Sequence, residues 1–278
     1  MAISVLNTEN SNRTPSSFIA QKTTNMSPLQ EIEQTYGFQY PKLYHRLYKD
    51  GMLDVGAKYP YHSYCPMEYK NGDRLPNKEW LEQEYPKLKE NPPLFLYVDW
   101  FQVLKPSQLV KEFEFLNQHL AQYPQNQRFF FAPFARAVVD DYMVYCFCYD
   151  KEKPTQEPSV VFIREDGEVD ILSANLQNFI FYQLIKWLVA HFHDISFICY
   201  GDFYENLRQT LRTHRPYLTE EQAKVLEEIY KREITKHTWE ITNGSFYTSL
   251  SLLHEGEEET LLNKYNPLPK ETILLKTL

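Results

Sequence analysis

A helix that is apolar on almost every side is the strongest constraint in this chain. Residues 179–192 read FIFYQLIKWLVAHF, with Gln183, Lys186 and His191 as polar members. Such a helix has to be covered on more than one side. It falls short of the ~18–20 apolar residues that span a bilayer, so it must close a protein core. The segments before it supply one. Residues 128–133, 141–150 and 159–164 read as strands, the last two joined by KEKPTQEP. Glu165-Asp166-Gly167 is a turn signal, residues 168–172 complete a hairpin, and Asn175 stands where the closing helix needs a cap.

Upstream the signals are helical. Ser27 with Gln30 forms a capping box, and Pro28 suits the first helical position. This helix runs to Tyr36 and Gly37 ends it. Pro41 opens a second, with Leu43, Tyr44, Leu47 and Tyr48 at helical spacing, and Gly51 is placed to stop it in a left-handed conformation. Residues 59–75 read as a loop, 77–89 as a helix interrupted at Pro86, 94–103 as a strand and 106–123 as an amphipathic helix. Residues 1–25 are rich in Ser, Thr and Asn without periodicity, which predicts a disordered tail.

Beyond residue 194 the pattern changes. Residues 195–200 read as a strand, 202–213 as a helix and 219–236 as a solvated helix. In the last, Glu220 with Lys224, Glu227 with Lys231 and Glu228 with Arg232 form i,i+4 pairs. Asn243-Gly244 predicts a hairpin between residues 239–241 and 246–253.

The formal charge of −8 argues against a broad phosphate-binding surface and favours a basic partner. The 21 tyrosines and 18 phenylalanines suit a half-solvated sheet or a recognition surface. Four cysteines with no secretory pattern predict reduced thiols and a cytoplasmic location. Cys146 and Cys148, two apart on a strand, point to one face, and without a second pair they read as core residues. His191 and His193 do not share a helix face. No nucleophile elbow, phosphate loop, zinc motif or kinase motif is present, so the sequence predicts no catalytic, cofactor or metal site.

The helical entry (Ile32, Tyr36-Gly37, Pro41, Leu47, Gly51) and the stretches Phe131-Ala132-Pro133-Phe134, Phe147-Cys148-Tyr149-Asp150 and Pro158-Ser159-Val160 carry a family resemblance. With the closing helix centred on Phe179, they make residues 26–193 resemble the SUKH superfamily, the bacterial toxin-immunity proteins and Smi–Knr-type regulators. Two features depart from that pattern: a long stretch over residues 59–129, and Asp140-Asp141 in place of a Gly-Asp before the central strand.

The resemblance implies an α+β fold, a central mostly antiparallel sheet flanked by helices. Residues 194–278 would add a C-terminal α/β extension packed on that domain. It implies a non-catalytic immunity protein that binds a cognate nuclease or deaminase toxin one to one, the partner having a basic surface. Neither nucleic acid nor membrane is expected as a partner. A regulator binding an endogenous protein is the alternative. The expected partner-binding residues are Asp140, Asp141, Tyr142, Tyr145 and Asp150 on the sheet and its rim, with Glu257, Glu258 and Glu259 from the acidic run.

Overall fold

In the computed structural model the described residues are 26–53, 67–70, 73–98, 101–120, 128–137, 143–190, 192, 197–242 and 245–268. Two helices open the chain, α1 (Pro28–Tyr36) and α2 (Lys42–Lys49). The capping box at Ser27 forms in both directions, and Gly37 closes α1 with a left-handed φ of 72°. A hairpin of β1 (Met67–Lys70) and β2 (Asp73–Pro76) follows, then α3 (Lys78–Gln83) and α4 (Tyr85–Glu90). The hairpin replaces part of the loop expected over residues 59–75. Its register ends on Lys70 opposite Asp73.

The central sheet has five antiparallel strands in the order β3 (Phe101–Val103), β4 (Phe129–Ala137), β5 (Val144–Asp150), β6 (Ser159–Ile163) and β7 (Val169–Ser173). Helix α5 (Pro106–Leu120) lies between β3 and β4 in the chain. The fold class is therefore α+β, an antiparallel sheet flanked by helices, as the sequence leads one to expect. Strand β5 shows the period of two. Val144, Cys146 and Cys148 join Val161, Ile163, Val169 and Leu116 of α5 in one small core. Tyr145, Phe147 and Tyr149 turn to the opposite face and the main core. The pairing of β4 with β5 shifts register between Pro133 and Ala135. A proline, with no N–H for the ladder, is tolerated in a central strand at such a bulge.

Helix α6 (Leu176–Ile185) is capped by the Asn175 side chain, which accepts from Asn178 N. It widens into a π-helical turn over Lys186–Ala190. Phe179, Ile180, Phe181, Leu184, Ile185, Leu188 and Val189 are all buried. The second cover is the C-terminal region: α7 (Phe203–His214), α8 (Glu220–Ile229), the hairpin β8 (Thr235–Thr242) with β9 (Ser245–Ser251), and α9 (Glu257–Tyr265). One continuous core runs from Leu29 to Leu253, so these elements share their interior with the sheet.

A buried polar seam fastens the two parts. Asn206 Nδ2 donates to the carbonyls of Ile198 at 2.8 Å and Tyr200 at 2.9 Å, and Oδ1 accepts from the hydroxyls of Tyr85 and Tyr97 at 3.1 Å each. Beside it His214, fully buried, accepts Phe95 N–H at Nε2 (3.3 Å), and Nδ1 lies 2.8 Å from the Thr210 carbonyl. Burial pushes the imidazole down to about 4, so the ring is neutral.

Three expected elements change accordingly. Residues 94–97 form a turn in place of the first half of a strand: Phe95 takes a φ of 59°, and its N–H goes to His214. Phe197–Cys199 is a 3₁₀ turn, not a strand, and two carbonyls of that neighbourhood serve Asn206. Helix α8 stops at Ile229 and the chain becomes strand at Thr235, so the expected pairing of Glu228 with Arg232 gives way to a bond from Arg232 to Glu257.

Candidate binding groove

A wide concavity lies where the Gly37–Pro41 turn meets the ends of β4 and β5. It has a volume of about 1520 Å³. The turn is held by one carboxylate. Glu33 Oε1 accepts from Tyr40 N at 2.6 Å and stands 2.7 Å from His45 Nε2, while the Glu33 carbonyl accepts from Gly37 N at 2.8 Å. The turn is then bolted to the sheet. Tyr40 donates its hydroxyl to Pro133 O at 3.0 Å, and Tyr149 donates to Gln39 O at 2.6 Å. The carbonyl that Tyr40 reaches belongs to the β4 bulge.

Aromatic rings build the wall. Phe38 packs edge-on against Tyr40 at 4.7 Å and lies 5.2 Å from Phe130 and 5.9 Å from Tyr149. Beneath them Tyr44, Phe134 and Phe147 form a buried cluster, the last two stacked at 4.5 Å. Burial, with the charges of Glu33 and Glu157, pushes the Tyr149 phenol well above its ordinary range and keeps it a hydrogen-bond donor.

The opposite rim is the β5–β6 loop. Arg128 grips Asp150 at both oxygens, Nε at 3.0 Å and Nη2 at 2.5 Å. The hydrogen bond from Arg128 leads in pushing the Asp150 carboxyl down to about 2. Two carboxylates of the groove are thus occupied within the fold. Its open polar groups include four amides: Gln34, Gln39, Gln156 and Gln177 line it with no side-chain hydrogen bond among the described residues.

Among the described residues, the expected site residues lie in three separate places. Asp150 lies on the groove rim, committed to Arg128. Tyr145 is half-buried on the inner face, its ring 4.8 Å from Phe101 and 4.7 Å from Phe162, with burial raising its hydroxyl. It therefore belongs to the core packing rather than to an open strand face. Asp140, Asp141 and Tyr142 lie outside the described residues, as do His191 and His193.

Glu257, Glu258 and Glu259 form the first turn of α9, a favourable place for acids. Glu257 is held by Arg232 at 2.6 and 2.9 Å, and this hydrogen bond lowers its carboxyl. The buried thiols of Cys146 and Cys148 are pushed up by desolvation, Cys148 to about 12. Among the described residues no group of three His, Cys, Asp or Glu side chains is placed to hold a metal ion, and no helix is long and apolar enough to cross a membrane.

The glutamines were missed by sequence reasoning. They come from four separate stretches and form no local pattern. No protein-family model, curated protein or solved structure matches the chain. Of the eighteen residues that carry the SUKH resemblance, Tyr36, Gly37, Pro41, Tyr149, Asp150 and Pro158 line the groove.

Proposed function

We propose that this chain is a binding protein of the SUKH immunity type, working in the cytoplasm. It neutralises a cognate nuclease or deaminase toxin domain by one-to-one association, without a reaction of its own. The observation that carries the reading is a single wide groove lined by six of the eighteen residues that carry the resemblance, with amides and aromatic rings among its open groups. Such surfaces suit protein recognition: rigid rings supply contact area, and amides supply adaptable hydrogen bonds. The net charge of −8 favours a partner with a basic face, such as an enzyme that handles nucleic acid.

The test is co-expression with a panel of nuclease and deaminase toxin domains in a sensitive bacterial host. Growth rescue by one member, with an equimolar complex on size-exclusion chromatography, is the expected result. Failure to rescue any toxin, together with stoichiometric recovery of a housekeeping protein from the source cells, would refute immunity in favour of endogenous regulation.

A further inference from the structure

The groove's composition is specific enough to say what enters it. Its volume of about 1520 Å³ exceeds the ~300–1000 Å³ of a usual small-molecule site. Five of the chain's 16 glutamines line it, and four of these have side-chain amides without a partner among the described residues. Each amide offers one acceptor and two donors. That is the complement of a peptide unit, with its one N–H and one C=O. Phe38, Phe130 and Tyr149 provide an apolar wall of mutually tilted rings against which an extended chain can pack.

Two charges of the lining, Glu157 and Lys42, have no partner among the described residues. Glu157 has neither a hydrogen-bond nor an ion-pair partner among the described residues, whereas Glu33 and Asp150 are each occupied. Its residue is exposed, yet partial removal of the carboxyl from water raises it above the ordinary carboxylate range. A cation brought to it would regain what solvent has lost. A neutral sugar's hydroxyls can donate to this carboxylate but do not neutralise its charge. A phosphate backbone would meet three carboxylates against two lysines along the lining.

We propose that the groove binds an extended segment of a partner polypeptide, with glutamine amides pairing to its main chain and a lysine or arginine side chain set against Glu157. The proposal rests on the reading above for the partner being a protein, and it adds where and how that partner is held.

The probe is a library of random linear dodecapeptides displayed on phage and selected on the immobilised full chain. Enriched peptides should share a lysine or arginine at a fixed position. A synthetic copy should bind Glu157→Gln at least tenfold more weakly, and the Gln156→Ala/Gln177→Ala double variant several-fold more weakly, with thermal unfolding unchanged in both. No enrichment, enrichment without a basic residue, equal affinity for Glu157→Gln, or binding of a glycan array in place of peptides overturns the proposal. The two readings fail separately. If Glu157→Gln neutralises a toxin as well as wild type, the groove assignment falls and immunity stands. If wild type neutralises no toxin while peptide binding depends on Glu157, immunity falls and the groove stands.

Discussion

The seam around Asn206 and the groove around Gly37 are built from the same materials, amides and tyrosines, and use them in opposite ways. In the seam every bonding position of Asn206 meets a partner within the fold, and His214 is neutral and bonded at both nitrogens. In the groove the tyrosines are spent on holding the turn while four glutamine amides face solvent. The difference separates polarity that stabilises from polarity left for another molecule. A buried polar group left unsatisfied costs about 1–3 kcal/mol, so the seam cannot spare a bond. An exposed amide is hydrated, and its removal costs the fold almost nothing.

The sharpest way to break this contrast is to open the seam. Asn206→Ala removes four hydrogen bonds of about 1 kcal/mol each, while Tyr85 keeps its contacts to the Tyr97 hydroxyl and the Tyr200 carbonyl, and should cost about 4 kcal/mol in urea unfolding. A loss below about 1 kcal/mol would mean that water already reaches the seam.

Next in size is the titration of His214. The folded state holds the ring neutral with its value lowered from 6.5 to about 4, so between those values the unfolded chain binds the extra proton. Its contribution is complete above pH 6.5 and is lost as pH falls toward 4, by on the order of 3 kcal/mol. A series of urea melts from pH 7 to 4.5 checks this, and His214→Gln should flatten the slope.

Gly37→Ala probes the turn that frames the groove. The added Cβ meets nothing within 4 Å, so only the left-handed backbone resists it, at about 1–2 kcal/mol. The smallest effect belongs to the groove amides. Gln34→Ala and Gln177→Ala should each stay within about 0.5 kcal/mol of wild type in the same melts. A larger loss would place them among the structural groups.

Much of the fold was legible because local rules governed it. The capping box at Ser27, the Gly37 stop, the Asn175 cap and the one-sided Cys146 and Cys148 each depend on a few neighbouring residues. The misread elements depend on distant ones. Phe95 turns back where a strand was expected because its N–H meets His214, far along the chain. Arg232 leaves its helical partner because α8 has already ended and Glu257 lies close by. The groove was half legible: Tyr36, Gly37, Pro41 and Tyr149 stand out as a pattern, whereas Gln34, Gln39, Gln156 and Gln177 meet only through the packing of α1 and α6 against the sheet.

The all-round burial of α6 has a consequence for how the protein is made. Its covering side is supplied in part by residues synthesised later, among them Tyr265, whose ring lies 5.3 Å from Phe181, and Leu252, whose N–H donates to the Val189 carbonyl. A ribosome adding about 5–20 residues per second needs several seconds to deliver them. Through that interval the nascent sheet and α6 present an open apolar flank, and any product cut short after α6 keeps it permanently. Release of the chain in a form that no chaperone retains therefore waits on its last quarter, and a premature stop there should yield aggregate rather than a smaller functional domain.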